Sequence, residues 1–150
     1  MLLIPVLLLI AVAMLIGISI EQADITTQII KDVSAGEAFN LIQENQNNPD
    51  FTTIDVRTPD EFADGHVEGA VNIDFQSDDF RREISMLDRD KTYLIYCRSG
   101  SRSRGALEIM IELGFMKAYH QSTGIIGWLN EGLPTVKYNH KEVRSELETF

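Results

Sequence analysis

The single cysteine of the chain, Cys97, opens a run of six polar or glycine positions, Arg98-Ser99-Gly100-Ser101-Arg102-Ser103. The four residues before it, Tyr93-Leu94-Ile95-Tyr96, are apolar and have the character of a buried strand. After it, Ala106, Ile109, Met110 and Leu113 recur at helical spacing. Cys97 is therefore expected on a strand-to-helix turn that faces a helix N-terminus. Unpaired N–H groups and the positive end of the helix dipole favour a thiolate there. Arg98 and Arg102 add positive charge on either side. A free thiol that titrates near ~8.5 falls to roughly 3.5–7.5 in such surroundings. A cysteine that only filled core space would not ordinarily lead into so polar a stretch. The chemistry implied is nucleophilic attack by sulfur.

Other reactive side chains have milder readings. Asp55 and Arg57 fall near the end of a second β-rich stretch, with Glu61 just beyond. They are expected to order the loops around the thiol. His66, between Gly65 and Val67, is expected to pin a turn by hydrogen bonding, with a general base as the alternative. His120 and His140 stand apart, and with one cysteine no metal-ligand spacing exists, so no metal or cofactor is expected.

The thiol has to be positioned by the elements around it. Residues 28–31 suit a short first strand. Ser34 and Glu37 have the spacing of a capping box, opening a helix that buries Ala38, Leu41 and Ile42 and stops within residues 45–49. Residues 51–56 are a strand, 59–63 a short helix closed by Gly65, and 70–73 another strand. Ser77 is placed to cap a helix running to Met86. Residues 91–96 are the strand before Cys97 and residues 102–113 the helix after it, with Gly114 at its end. A last strand spans 116–120. A last helix spans 124–130, carries Trp128 in the core and ends in Gly132-Leu133-Pro134. Alternating strands and helices predict a parallel sheet covered on both faces. Ligands of such sheets lie beyond the carboxyl ends of the strands, where Cys97 falls. Asn139 and Glu142 suit the start of a short C-terminal helix, residues 139–150, with Val143, Leu147 and Phe150 on one face.

The chain of 150 residues is long enough for one domain with a real core. Its first twenty residues carry no charged side chain. That run can span a bilayer or serve as the core of a secretory signal. Gly17 and Ser19 offer a cleavage site, so residues 1–20 are either a cleaved signal or a retained anchor. Residues 21–27 form a polar linker. Glu21 and Asp24 follow the run before the first basic residue, Lys31, so no positive charge holds this flank in the cytoplasm. The expected location is outside the cytoplasmic membrane, with membrane contact only through residues 1–20. A lone cysteine forms no internal disulfide, and the fold does not depend on one. The net charge of -10 lies wholly after residue 20 and argues against nucleic-acid binding.

Two stretches together resemble the rhodanese (sulfurtransferase) family. The first runs Asp55-Val56-Arg57-Thr58-Pro59-Asp60-Glu61-Phe62, then Gly65-His66-Val67-Glu68-Gly69-Ala70-Val71-Asn72-Ile73. The second is Tyr96-Cys97-Arg98-Ser99-Gly100-Ser101-Arg102-Ser103. Gly114-Phe115, Gly124, Trp128 and Gly132-Leu133-Pro134 continue the likeness, which covers about residues 28 to 136 of a domain expected over 28–138. Thr123 departs from it, standing where many relatives carry glycine. The resemblance implies a five-stranded parallel α/β sheet with helices on both faces. It also implies sulfane-sulfur transfer through a Cys97 persulfide. Backbone N–H groups from Arg98 through Ser99, Gly100 and Ser101 to Arg102 would cradle the persulfide. The implied partners are a small anionic donor such as thiosulfate and a thiol or cyanide acceptor, which includes a thiol on another protein.

Three rivals frame that reading. A persulfide carrier that hands its sulfur to a partner protein shares the same chemistry. A non-catalytic binding module of this type usually lacks the cysteine, which is present here. A cysteine phosphatase or arsenate reductase on the same fold uses five residues between cysteine and arginine. Here four intervene, Ser103 stands where that arginine is needed, and Tyr96 stands where such phosphatases usually have histidine.

Overall fold

The computed structural model describes residues 28–137. Five strands alternate with five helices among these residues. The strands are β1 (Ile29–Val33), β2 (Phe51–Asp55), β3 (Val71–Asn72), β4 (Thr92–Tyr96) and β5 (Lys117–Gln121). The helices are α1 (Ala35–Glu44), α2 (Pro59–Asp64), α3 (Phe80–Ser85), α4 (Ser101–Glu112) and α5 (Gly124–Asn130). The sheet is parallel at every pairing, in the order β1-β5-β4-β2-β3. This is the expected five-stranded parallel α/β architecture.

Alternation along β4 builds the two faces. Tyr93 and Ile95, with Cys97 beyond them, join a core that includes Phe80, Ile84, Ala106, Leu107 and Met110 from α3 and α4. Leu94 and Tyr96 point the other way, into a core with Ala35, Ala38, Ile125 and Trp128 from α1 and α5. β4 lies between β5 and β2 with helices packed on both faces, and Tyr93–Tyr96 are buried. The buried stripe of α4 is Ser103, Ala106, Leu107 and Met110, a helical spacing that includes one polar residue. Ile109 and Leu113 pack at its edge, partly buried.

Helix ends follow their local signals in most places. Ser34 and Glu37 form the expected capping box on α1, and Thr58 and Glu61 form a second one on α2. After α4 the Phe115 amide reaches the Met110 carbonyl and the Gly114 amide the Ile111 carbonyl, a Schellman closure with Gly114 at φ 84°. The helix expected from Ser77 begins later, at Phe80, with no side-chain cap. The Ser77 hydroxyl instead accepts from the nearby Asp79 amide. Phe75 packs edge-on against buried Phe80 and its amide bonds the Val56 carbonyl, which holds residues 74–79 in turns. The expected strand at 70–73 shortens to Val71–Asn72, at the sheet edge.

Residues 1–20, the 21–27 linker and the helix expected at 139–150 lie outside the described residues. Among the described residues, no helix is long and apolar enough to cross a membrane.

Candidate active site

The strand order makes one crevice. The chain leaves β2 toward β3 on one side and leaves β4 toward β5 on the other. Ligands of open parallel sheets bind at such a switch point, beyond the carboxyl ends of the strands. Val56 and Arg57 follow β2 there, and Cys97 follows β4 directly across, since Asp55 and Tyr96 are register partners.

Cys97 is buried, with 1% of its surface exposed, and its sulfur faces the loop that follows. The Gly100 amide donates to Sγ at 3.1 Å. The Ser103 hydroxyl, on the first turn of α4, lies 3.4 Å from Sγ. Burial pushes the thiol up, but the Ser103 hydroxyl and the amides of Ser103, Ser99 and Gly100 outweigh it, so the net shift is downward. Thiolate character thus comes chiefly from hydrogen bonds to sulfur rather than from the flanking arginines. The amides that serve it are those of Ser99 and Gly100, within the run from Arg98 to Arg102, and that of Ser103 just beyond it.

The loop keeps its amides inward because its carbonyls are held elsewhere. The Cys97 and Arg98 carbonyls accept from the Ile125 and Ile126 amides of α5, at 2.8 and 3.2 Å. That contact requires glycine at 124. Gly124 has φ 62°, and a Cβ there would lie 2.3 Å from the Arg98 carbonyl carbon and oxygen. Gly100 has φ 96°, and a Cβ there would meet the Ser122 carbonyl oxygen at 2.0 Å. The departure at Thr123 is harmless, since that residue has an ordinary φ of -95° and accepts from the Gln121 side chain.

The two arginines of the loop have different situations. Arg98 is exposed, as are Ser99 and Ser101. Arg102 is gripped through both terminal nitrogens by Glu61, at 2.7 and 2.8 Å. Glu61 also closes the cap of α2, so one carboxylate ties α2 to α4 across the crevice. That Arg102 bond holds the Glu61 carboxyl down at about 2.

Asp55, Arg57 and His66 build the wall opposite the loop. Arg57 lies on the Asp55 carboxylate, with Nη2 at 2.6 Å from Oδ2, and also donates to the Gly65 carbonyl at 2.7 Å. Both side chains are buried. Asn72 caps the carbonyls of Asp55 and Arg57. His66 stacks on Phe62, hydrogen-bonds the Phe62 carbonyl through Nδ1 and pairs its backbone with Val136.

Sequence reasoning missed a second group at the sulfur. His120, far from isolated, is buried on β5 with Nε2 at 3.0 Å from Ser103 Oγ and 3.1 Å from the Gly100 carbonyl. Its Nδ1 faces Asp32 Oδ1 at 3.1 Å, and Asp32 is its register partner on β1. The available signal was spacing: His120 lies two residues after buried Ala118, on the same strand face.

A cleft of about 600 Å³ is lined by residues such as Phe39, Phe51, Val67 and Trp128 and includes none of the loop 97–103. Among the described residues, no cluster of His, Cys, Asp or Glu suits a metal ion.

Comparison with known proteins gives a consistent picture. Residues 38–131 match the rhodanese-like domain family. A protein of Allochromatium vinosum named sulfurtransferase is 33% identical over 100 residues, which cover 67% of this chain and 92% of that protein. A tRNA uridine(34) hydroxylase of Photorhabdus laumondii is 34% identical over 111 residues, which are 66% of this chain but 31% of that longer protein. The solution structure of the polysulfide-sulfur transferase homodimer of Wolinella succinogenes superposes with a TM-score of 0.59 at 31% identity. It covers 74% of this chain and 81% of that one.

Proposed function

Because this chain belongs to the rhodanese-like domain family, we propose that it is a sulfurtransferase that moves sulfane sulfur through a persulfide on Cys97. The observation that carries the reading is the Cys97 sulfur, held as an acceptor beneath the Gly100 amide and the Ser103 hydroxyl at a sheet switch point. The two relatives named for sulfur transfer support it.

In the first half-reaction the Cys97 thiolate attacks the outer sulfur of a donor such as thiosulfate. A new S–S bond forms, the donor's S–S bond breaks, and sulfite leaves with the bonding electrons. The inward amides then face an anionic persulfide, with donors already in place. In the second half-reaction a thiolate or cyanide attacks the terminal sulfur, and the Cys97 thiolate leaves. Splitting the transfer in two replaces one difficult encounter by two simple displacements. Arg98, exposed at the loop, supplies a cation for an anionic donor. The uncharged residues 1–20, followed by Glu21 and Asp24, support a placement of the domain outside the cytoplasmic membrane.

Intact mass spectrometry tests the central step. Thiosulfate is expected to add the mass of one sulfur, about 32 Da, to the protein, and cyanide to remove it with formation of thiocyanate. Cys97→Ser is expected to show neither change. Sulfur transfer by Cys97→Ser at the rate of the native protein would overturn the reading.

A further inference from the structure

The group beneath Cys97 is a continuous hydrogen-bonded chain: Asp32 Oδ1, His120 Nδ1, His120 Nε2, Ser103 Oγ, Cys97 Sγ, with successive contacts of 3.1, 3.0 and 3.4 Å across the three gaps. Its middle is sealed from solvent, with His120 2% and Ser103 0% exposed. Ser103 thus sits between the sulfur and His120 with no face to solvent. Its hydroxyl has a single hydrogen and three neighbours: the sulfur, His120 Nε2 and the Gly100 carbonyl.

Counting donors decides where that hydrogen goes. Hydrogen bonding to Arg104 is the main effect on Asp32; it prevails over burial, is joined by the bond to His120, and keeps Asp32 ionised as an acceptor. Nδ1 of His120 must then carry a hydrogen. If Nε2 is bare, its one lone pair accepts the Ser103 hydroxyl hydrogen, and the ring donates nothing to the Gly100 carbonyl. If Nε2 is protonated, it donates to the Gly100 carbonyl and to Ser103 Oγ, and the hydroxyl hydrogen turns to sulfur. The charged groups facing His120 from neighbouring elements are Asp32 on β1, Arg104 of α4 through Asp32, and Cys97 through Ser103.

We propose that Asp32, His120 and Ser103 form a buried relay that takes up the Cys97 proton and then holds the resulting thiolate. The S–H bond breaks as the proton passes to Ser103 Oγ, while the hydrogen of Ser103 passes to His120 Nε2. The products are a Cys97 thiolate hydrogen-bonded by Ser103 and a His120 imidazolium braced on Asp32. Sulfur and imidazole exchange one proton, with no electron transferred and no other reactant. In the second half-reaction the same imidazolium and hydroxyl stabilise Cys97 as the leaving thiolate. His120 and Asp32 act through Ser103 and are positioning residues. The inference rests on the proposed persulfide chemistry for its purpose, but the relay has its own readouts.

Alkylation of Cys97 by iodoacetamide, followed against pH, reads thiolate formation without any sulfur donor. In His120→Gln the midpoint is expected to rise by about one pH unit, with roughly tenfold slower alkylation at pH 6 and a limiting rate at high pH within about twofold of the native protein. Asp32→Asn, at a half-exposed position that should tolerate the change, is expected to move it in the same direction by a smaller amount. In the reciprocal measurement, the His120 imidazole is followed by NMR. Cys97→Ser is expected to change the pH dependence of its ring signals, and Ser103→Ala to remove more than half of that coupling. Unchanged midpoints in His120→Gln and Asp32→Asn, or a His120 titration indifferent to Cys97, would overturn the relay. Persulfide formation with unchanged midpoints sinks the relay alone. A coupled, low-titrating thiol that never carries sulfur sinks the sulfurtransferase reading and leaves the relay standing.

Discussion

At the scale of single residues, Cys97 joins two conditions that usually conflict. It is buried, which disfavours a thiolate, yet amides and a hydroxyl converge on its sulfur, and they outweigh the burial. Charge near the loop is divided between two arginines with different duties. Arg98 is exposed and available to an anionic donor, whereas Arg102 is engaged by Glu61. Arg98→Ala is therefore expected to lower kcat/KM for thiosulfate about fivefold while leaving a neutral organic polysulfide within about twofold, since one exposed charge-assisted contact is worth about 1 kcal/mol. Arg102→Ala is expected to impair both donors alike, because it frees α2 from α4. Steady-state kinetics with the two donors separates these outcomes. A loss confined to thiosulfate in Arg102→Ala would show that Arg102 binds substrate in spite of its partner.

At the scale of elements, the site is a loop clamped from two sides. The first clamp is α5, whose leading amides take the Cys97 and Arg98 carbonyls. Gly124→Ala puts a methyl group into the Arg98 peptide at a positive φ. The expected cost is about 2 kcal/mol in denaturant unfolding, accompanied by a higher alkylation midpoint for Cys97 as the loop is pushed away. Unchanged stability and thiol titration would mean that the α5 contact does not hold the loop. The second clamp is the Glu61–Arg102 pair. Folding lowers the Glu61 carboxyl from its ordinary 4.5 to about 2. A depressed carboxyl contributes stability that is fully present above 4.5 and lost as pH falls toward 2. The stability difference between the native protein and Glu61→Gln is thus expected to be constant near neutrality and to shrink through that acid window. Urea titrations at a series of pH values measure it. A difference that persists at pH 2 would mean that Glu61 acts through its shape and not its charge.

At the scale of the whole molecule, the order β1-β5-β4-β2-β3 brings distant segments to one crevice. The β2 end supplies the Asp55–Arg57 wall, the β4 end the thiol, and β1 and β5 the Asp32–His120 pair beneath it. The acidic domain, net -10 overall, lies behind twenty uncharged residues. A reporter that works only outside the cytoplasm, fused after Phe150, is expected to be active in cells making the full chain. N-terminal sequencing of the same product distinguishes a cleaved signal from an anchor. Activity of a cytoplasmic reporter in its place would overturn the outward orientation.

Much of this could be read in the sequence because it rests on local physics. Apolar and β-rich runs marked the strands, helical spacing marked the helices, and the Ser34 and Glu37 cap marked where α1 begins. The polar run after Cys97 marked the thiol loop, since few backbones place a cysteine between a buried strand and a helix N-terminus. The rest was decided by packing between segments far apart in the chain. Arg102 looked free until α2 was brought across the crevice to meet it, 41 residues away. His120 looked solitary because its partners lie 17 and 88 residues distant, and only the parallel register of β1 with β5 sets it opposite Asp32. Local sequence determines which backbone turns are possible. Which side chains then share a hydrogen is determined by strand order and register, and these are set only when the sheet closes.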